Sequence, residues 1–287
     1  MPAIAFFRPR TLAEAIDRLA SDGEARCLAG GQTLVAMLNA DLIESSVLVS
    51  LGDIVELRGI METPHSVRVG AMATHRDVAA EPRLAGNLRV IAEAAAQIGH
   101  AAIRTMGTIG GSLCHGDAAA DYPAAVTAAD AVLEMHGPRG ARRVRAVEFF
   151  KDFLTTDLAP GEILVAVELP KPPPRSAGHF LKFARVEGDF ATVSVAVSLA
   201  FYDGKCRSAR VALGGCGPVP IRSDAADRAL VDGELDDAGL NRAGALLAAA
   251  SKPPDDVRGS AEYRRMIIPN LVRRAVVTAR SRIGGAG

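Results

Sequence analysis

Three prolines in a row, Pro172-Pro173-Pro174, stand between Lys171 and Arg175-Ser176. A proline ring fixes φ and removes an amide, so neither a helix nor a sheet ladder continues through such a segment. The chain must fold as one stretch before this break and another after it. The two stretches also differ in period. Before the break, helical and strand patterns alternate; after it, alternating apolar runs read as strands of a small antiparallel sheet. At roughly 150 residues per domain, a chain of 287 residues is expected to form two domains, 1–172 and 173–287.

The first stretch opens with Thr11 to Ala20, an amphipathic helix with Thr11 as N-cap and Glu14 completing a capping box. Ala25 to Ala29 reads as a short buried strand that runs into Gly30-Gly31, and Leu34 to Asn39 as helix. Val47 to Ser50 and Val67 to Gly70 read as strands, with a turn at Gly52-Asp53. The Ala-rich text from Arg83 to Gly99 predicts one long helix, followed by a loop holding Gly107, Gly110, Gly111 and Gly116. Tyr122 to Ala129 is helical again, with Asp121 and Pro123 at its start. Val144 to Asp152 and Glu162 to Leu169 give two short elements. Past the prolines, His179 to Ala184, Thr192 to Tyr202 and Arg207 to Gly214 are expected strands, with Asp203-Gly204 as a turn. Asp237 to Ala250 and Ala261 to Arg282 are expected helices, and Gly284 to Gly287 a frayed tail.

Composition excludes several classes. Lys plus Arg and Asp plus Glu each number 33, so the formal charge is zero, unlike a protein built to neutralise phosphate backbones. Aromatics are 4% with no Trp, too few for a base-stacking platform. Nucleic acid is therefore not an expected partner. No apolar stretch is long enough to span a bilayer, and Met1 to Arg10 lacks a signal-peptide core. Cys27, Cys114, Cys206 and Cys216 form no C-x-x-C pair, so no metal site is expected. Four reduced thiols fit a cytoplasmic protein.

Two motifs carry chemistry. In Leu28-Ala29-Gly30-Gly31-Gln32-Thr33-Leu34 a strand enters two glycines and then a helix start. Glycines let backbone amides approach a ligand closely, and a helix start adds partial positive charge. That suits a phosphate or pyrophosphate, although a plain strand-to-helix turn would read the same way. In Gly107-Thr108-Ile109-Gly110-Gly111-Ser112 a second glycine pair precedes a hydroxyl residue, and Asp121 follows ten residues after Gly111. Two such loops suit one diphosphate held from both sides, with the carboxylate on a ribose or ribityl hydroxyl.

Together the loops resemble the flavin-binding medium subunit of the molybdenum hydroxylases, the family of the carbon monoxide dehydrogenase medium subunit and the xanthine dehydrogenase FAD-binding subunit. Its first motif, A-G-G-x followed by Ser or Thr, is matched by Ala29 to Thr33. Its second, Thr, Ile or Val, Gly-Gly-Asn, is matched by Thr108 to Ser112, with Ser112 where the family usually has Asn. Asp121-Tyr122-Pro123 stands beyond it, where the family has an Asp-x-x-Pro stretch. The resemblance extends along the chain through Phe7-Arg8-Pro9, Phe149-Phe150, Lys182, Arg185, Asp189-Phe190-Ala191 and Glu262-Tyr263-Arg264-Arg265.

The resemblance implies an α+β fold: a two-subdomain FAD-binding domain of the PCMH or vanillyl-alcohol-oxidase-like kind, then a small C-terminal antiparallel sheet plus helices. It implies FAD held by Leu28, Ala29, Gly30, Gly31, Gln32, Thr33 and Leu34 and by Thr108, Ile109, Gly110, Gly111 and Ser112. Asp121 would bind polar groups of the cofactor, Lys182 would sit near the pyrimidine end of the flavin, and Phe190 near its ring system. The alternatives are an N-cap for Asp121, a solvated strand lysine for Lys182 and a core residue for Phe190. No side chain is expected to be catalytic, because the flavin carries the redox chemistry. Arg185 and Asp189 read as a salt bridge with each other. The arginines of the terminal helix, from Arg264 to Arg282, read as a solvated basic face or a docking face. Molybdopterin and 2Fe–2S clusters would lie on partners, a molybdopterin large subunit and an iron–sulfur small subunit, in a dimer of heterotrimers. The implied role is electron transfer from iron–sulfur clusters through FAD to an external acceptor. The substrate stays open among carbon monoxide, purines, N-heterocycles and aldehydes. A stand-alone FAD oxidoreductase or a non-catalytic nucleotide-binding module would be the alternatives.

Overall fold

The computed structural model describes residues 4–231 and 235–283. Three sheets organise it. The first is parallel, in the order Ala5–Phe7, Val47–Ser50, Arg26–Leu28. Helix Leu12–Ser21 packs on it, capped by Thr11 with the reciprocal Glu14 bond that the sequence predicts. The second sheet is antiparallel, in the order Ile60–Glu62, Ser66–Gly70, Ile163–Pro170, Val132–Gly137, Gly140–Arg145. Its central strand explains the unbroken apolar run Ile163-Leu164-Val165-Ala166-Val167. Ile163 and Val165 join the core of the first sheet, while Leu164, Val167 and Leu169 join a larger core under the helices. A strand buried on both faces needs no polar alternation.

The third sheet follows the proline segment: Ser176–Phe183, Val193–Tyr202, Lys205–Gly214 and Ile221–Arg222, antiparallel and in that order. Asp203 and Gly204 both have positive φ at its hairpin, as a type I′ turn requires. Helices Asp224–Val231, Asp237–Ala250 and Ala261–Ser281 cover one face, meeting Val193, Val195, Val197 and Leu199. The other face carries small residues and meets helices Arg89–Ala96 and Asp121–Ala128. Gly178 shows why: a Cβ there would lie 2.9 Å from backbone atoms of Asn87 and Val90. Glu93 joins the layers. It bonds His179, the Phe180 amide, Arg89 and Arg282. Burial would raise its carboxyl, but the His179, Phe180 and Arg282 bonds hold it down at about 2.

Several expectations need correction. The predicted helix Arg83 to Gly99 is a 3-10 turn, Gly86–Leu88, followed by a shorter helix, Arg89–Ala96, because Gly86 sits at φ 56. The glycine loop contains a helix, Ile109–His115, closed by left-handed Gly116. Val144 to Asp152 is not one element but the end of a strand, a turn of helix Ala146–Phe149 and the short strand Phe150–Asp152. Strands Ile60–Glu62 and Val132–Gly137 and helix Asp224–Val231 were not foreseen. The tail Gly284 to Gly287 lies outside the described residues. No described helix is long and apolar enough to cross a membrane.

Candidate functional site

Strand Arg26–Leu28 delivers Ala29 to Gly30 and to Gly31, which takes φ 71, and helix Leu34–Asn39 starts four residues after Gly30. The amides of Gly30, Gly31, Gln32, Thr33 and Leu34 have no acceptor among the described residues. Five consecutive free donors in one bend form a concave surface for an anion. Thr33 precedes the helix without using its hydroxyl as a cap. Gln32 folds its amide back on the Gly30 carbonyl at 3.1 Å.

The second loop is built differently. Thr108 Oγ1 accepts the Gly111 amide at 3.1 Å. Ile109, Gly110 and Ser112 donate to Ala73, Ala71 and Thr108 carbonyls. Its amides are therefore mostly engaged inside the protein, and Ile109 is a fully buried core residue. A Cβ on Gly110 would lie 2.7 Å from the Ala71 carbonyl oxygen, and one on Gly107 would lie 2.6 Å from His75 Nε2. These glycines let the loop lie close on the segment from Ala71 to His75. Gly111 is exposed and Ser112 half-buried, so this pair faces outward.

The fold brings the two loops into contact. A Cβ on Gly30 would lie 2.6 Å from the Met106 carbonyl carbon and 2.8 Å from Gly107 Cα. A Cβ on Gly111 would lie 3.6 Å from Ala29 Cβ. Met106 also receives Gln32 Nε2 on its sulfur at 3.7 Å. No local pattern marks Met106 as part of this junction, because its partner is 76 residues earlier in the chain.

Asp121 and Lys182 are paired with each other. Lys182 Nζ lies 2.8 Å from Asp121 Oδ2 and 3.1 Å from the Gln97 carbonyl, and both side chains are almost fully buried. Lys182 is thus not a solvated strand lysine. Nor is Asp121 an N-cap: the cap position is Ala120, and Asp121 is the first helical residue. Its Oδ1 is buried and has no donor among the described residues. Burial pushes the carboxyl up from 3.8 to about 6, against the pull of Lys182. Two further buried groups follow from Asp121: Tyr122, next to it in the chain, and His75, which packs on Tyr122 and has no mark in the sequence. The His75 and Tyr122 rings meet at a tilt, their centroids 5.4 Å apart, and His75 Nδ1 and the Tyr122 hydroxyl have no partner among the described residues. Burial, then the nearby Arg104, lowers His75 to about 4, so its imidazole is neutral at physiological pH.

The raised Asp121 value has a thermodynamic consequence. Between about pH 4 and 6 the folded state holds this proton more tightly than the unfolded state. The group's contribution is full below its unfolded value and is lost as pH rises through about 6. We expect Asp121→Asn to remove a loss on the order of 3 kcal/mol from the stability profile across that window. Urea unfolding of both proteins at pH 4 and pH 6.5 measures it; parallel profiles would sink the assignment.

Phe190 is 44% exposed rather than in the core. The Arg258 guanidinium lies 5.3 Å over its ring. Asp189 pairs with Arg258 at 3.3 Å, not with Arg185, which instead donates to the Val257 carbonyl. This corrects the expected Arg185–Asp189 bridge: the segment 255–259 comes between them. Ala191 donates to the Ala119 carbonyl at 3.4 Å, so the segment bearing Phe190 is tied to the one leading into Asp121. Among the arginines of the terminal helix, Arg265, Arg274 and Arg280 are exposed, and several of the six have partners. Arg264 is buried, Arg273 pairs with Asp237, Arg280 reaches the Leu235 carbonyl and Arg282 reaches Glu93. The four cysteines are free, and burial pushes the Cys27, Cys114 and Cys216 thiols up to about 12. Among the described residues no group of three or more His, Cys, Asp or Glu is placed to hold a metal ion.

Both parts of the chain match described protein families. Residues 2–172 match the family described as the FAD binding domain in molybdopterin dehydrogenase. Residues 178–279 match the CO dehydrogenase flavoprotein C-terminal domain. The carbon monoxide dehydrogenase medium chain of Afipia carboxidovorans is 38% identical over 96% of both chains. The nicotine 6-hydroxylase medium subunit of Paenarthrobacter nicotinovorans is 35% identical over 98% of this chain and 99% of its own. Reconstituted CO dehydrogenase from Oligotropha carboxidovorans contains a chain that superposes with a TM-score of 0.94 at 37% identity, covering 98% of each.

Proposed function

The chain belongs to the FAD-binding family of molybdopterin dehydrogenases, and from that premise we propose that it is the electron-transfer subunit of a multi-subunit molybdenum hydroxylase, taking electrons from iron–sulfur clusters through FAD to an external acceptor. Residues 1–172 would form the FAD-binding domain and 173–287 the domain that covers its flavin end. The free amides of Gly30 to Leu34 carry this reading.

The residues present fit FAD. Five amides without acceptors suit a diphosphate, and the bare Cα of Gly30 lets the second loop pack close beside them. The second loop contributes shape more than donors: Thr108 fixes the turn, Gly110 seats it, and Ser112 presents a hydroxyl in place of an Asn amide. The unpartnered Asp121 Oδ1 suits a hydroxyl donor of the cofactor, and Lys182 holds the other oxygen in place. Phe190, exposed and braced by Arg258, suits contact with a flat ring system. When bound, FAD supplies redox chemistry that accepts and releases electrons. The protein's work is to bind it, orient it and keep its immediate surroundings fixed.

Molybdopterin and the 2Fe–2S clusters would then belong to a large and a small partner subunit, in a dimer of heterotrimers. Names such as "medium chain" and "medium subunit" among the relatives support companion chains. Subunit omission tests the role. The complex assembled with this chain is expected to pass electrons from its chemically reduced iron–sulfur subunit to an artificial acceptor. The complex without it is expected to keep reducible clusters but lose most of that transfer. Undiminished transfer without this chain would refute the role.

A further inference from the structure

Arg264 lies in the first turn of helix Ala261–Ser281, within a run of arginines that otherwise reach the surface. Its side chain is 1% exposed. Nη1 donates to the Thr192 carbonyl at 2.7 Å and to the Gly215 carbonyl at 2.9 Å. Nε donates to the Gly259 carbonyl at 3.3 Å, and Nη2 pairs with Asp256. A guanidinium survives such burial only where its planar fork meets acceptors in matching directions.

Two of those acceptors belong to the segments that frame the candidate site. Thr192 comes two residues after Phe190, and its amide donates to the Phe183 carbonyl at 2.8 Å, next to Lys182. Gly215 donates to the Ala118 carbonyl at 2.7 Å, and Ala191 to the Ala119 carbonyl. Ala118 and Ala119 lead directly into Asp121. One guanidinium nitrogen therefore spans the two strands of backbone that hold Phe190 on one side and Asp121 on the other. A Cβ on Gly215 would lie 3.0 Å from the Thr192 carbonyl oxygen and 3.2 Å from that of Ala191. Glycine at this position keeps the carbonyls close enough for one nitrogen to serve two of these segments.

We propose that Arg264 is a positioning residue for the flavin site: it fixes the spacing between the Phe190 segment and the Ala118–Asp121 segment. This rests on the FAD reading above. A helix anchor alone would bond locally; both Nη1 acceptors lie in other parts of the chain, 72 and 49 residues away.

The test compares the full-length wild type with Arg264→Lys, Arg264→Met and Asp256→Asn by FAD titration and amide hydrogen exchange. Arg264→Lys keeps the charge but replaces the planar fork with one ammonium. Its FAD Kd is expected to rise about tenfold, with joint loss of protection in residues 117–121 and 186–192. Arg264→Met is expected to lose more, and if it does not fold the lysine variant carries the comparison. Asp256→Asn leaves both Nη1 contacts and is expected to stay within about twofold on both readouts. Unchanged FAD affinity in Arg264→Lys, or exchange confined to the terminal helix, would overturn the proposal. A wild type that takes no FAD overturns the site reading itself, before any variant is compared.

Discussion

Gly30→Val is expected to abolish FAD retention while leaving the chain folded. The Cβ of any larger residue would lie 2.6 Å from the Met106 carbonyl carbon and 2.8 Å from Gly107 Cα. Both are backbone atoms, so no rotamer change relieves the overlap, and a β-branched side chain adds to it. The two loops must move apart, and Gly30 is the first of the five free donors. The substitution therefore separates the anion-binding bend from the second loop without touching the cores of the three sheets. We expect flavin content below roughly a tenth of wild type, a loss of affinity of more than 1.4 kcal/mol. The ratio of visible to ultraviolet absorbance reads the flavin, and far-ultraviolet circular dichroism reads the fold. A folded Gly30→Val protein with wild-type flavin content would place the cofactor elsewhere.

The second large effect concerns the buried pair. Lys182→Met leaves Asp121 buried at its helix start without its cation. Removing one member of a buried pair costs about 3–5 kcal/mol, partly relieved when the carboxyl takes up a proton. For a chain of this size that corresponds to a fall in Tm on the order of 10 °C. The double variant Lys182→Met, Asp121→Asn removes the stranded charge and should recover most of the loss. The same pair joins helix Asp121–Ala128 to strand Ser176–Phe183, so the single variant should also loosen the seat of Asp121. A double variant no more stable than the single one would mean that the charge is not what the lysine neutralises.

The first loop is legible from sequence because it writes its geometry locally. A strand, two glycines and a helix start can hardly fold otherwise, and the proline segment lies between strands Ile163–Pro170 and Ser176–Phe183. What was not legible depends on partners distant in the chain. Two glycines argue against helix in Ile109–His115, yet Gly110 is helical because only a bare Cα fits over Ala71. Asp121 and Lys182 were each marked, but their pairing spans 61 residues and crosses from one sheet layer to another. Arg264 looked like one more basic residue on a helix face. Only the fold shows that its acceptors are the Thr192 and Gly215 carbonyls, 72 and 49 residues earlier in the chain. The core-residue alternative for Phe190 falls because the strand begins at Val193, leaving the ring outside under Arg258.

The measurement that bears most directly on the central claim is the visible spectrum of the purified chain, alone and co-expressed with its neighbouring subunits, followed by identification of the released cofactor. A two-banded flavin spectrum with FAD released on denaturation, one per chain, is the predicted result, in either preparation. Release of FMN, which lacks the diphosphate bridge to adenosine, or no flavin in both preparations, would contradict the account.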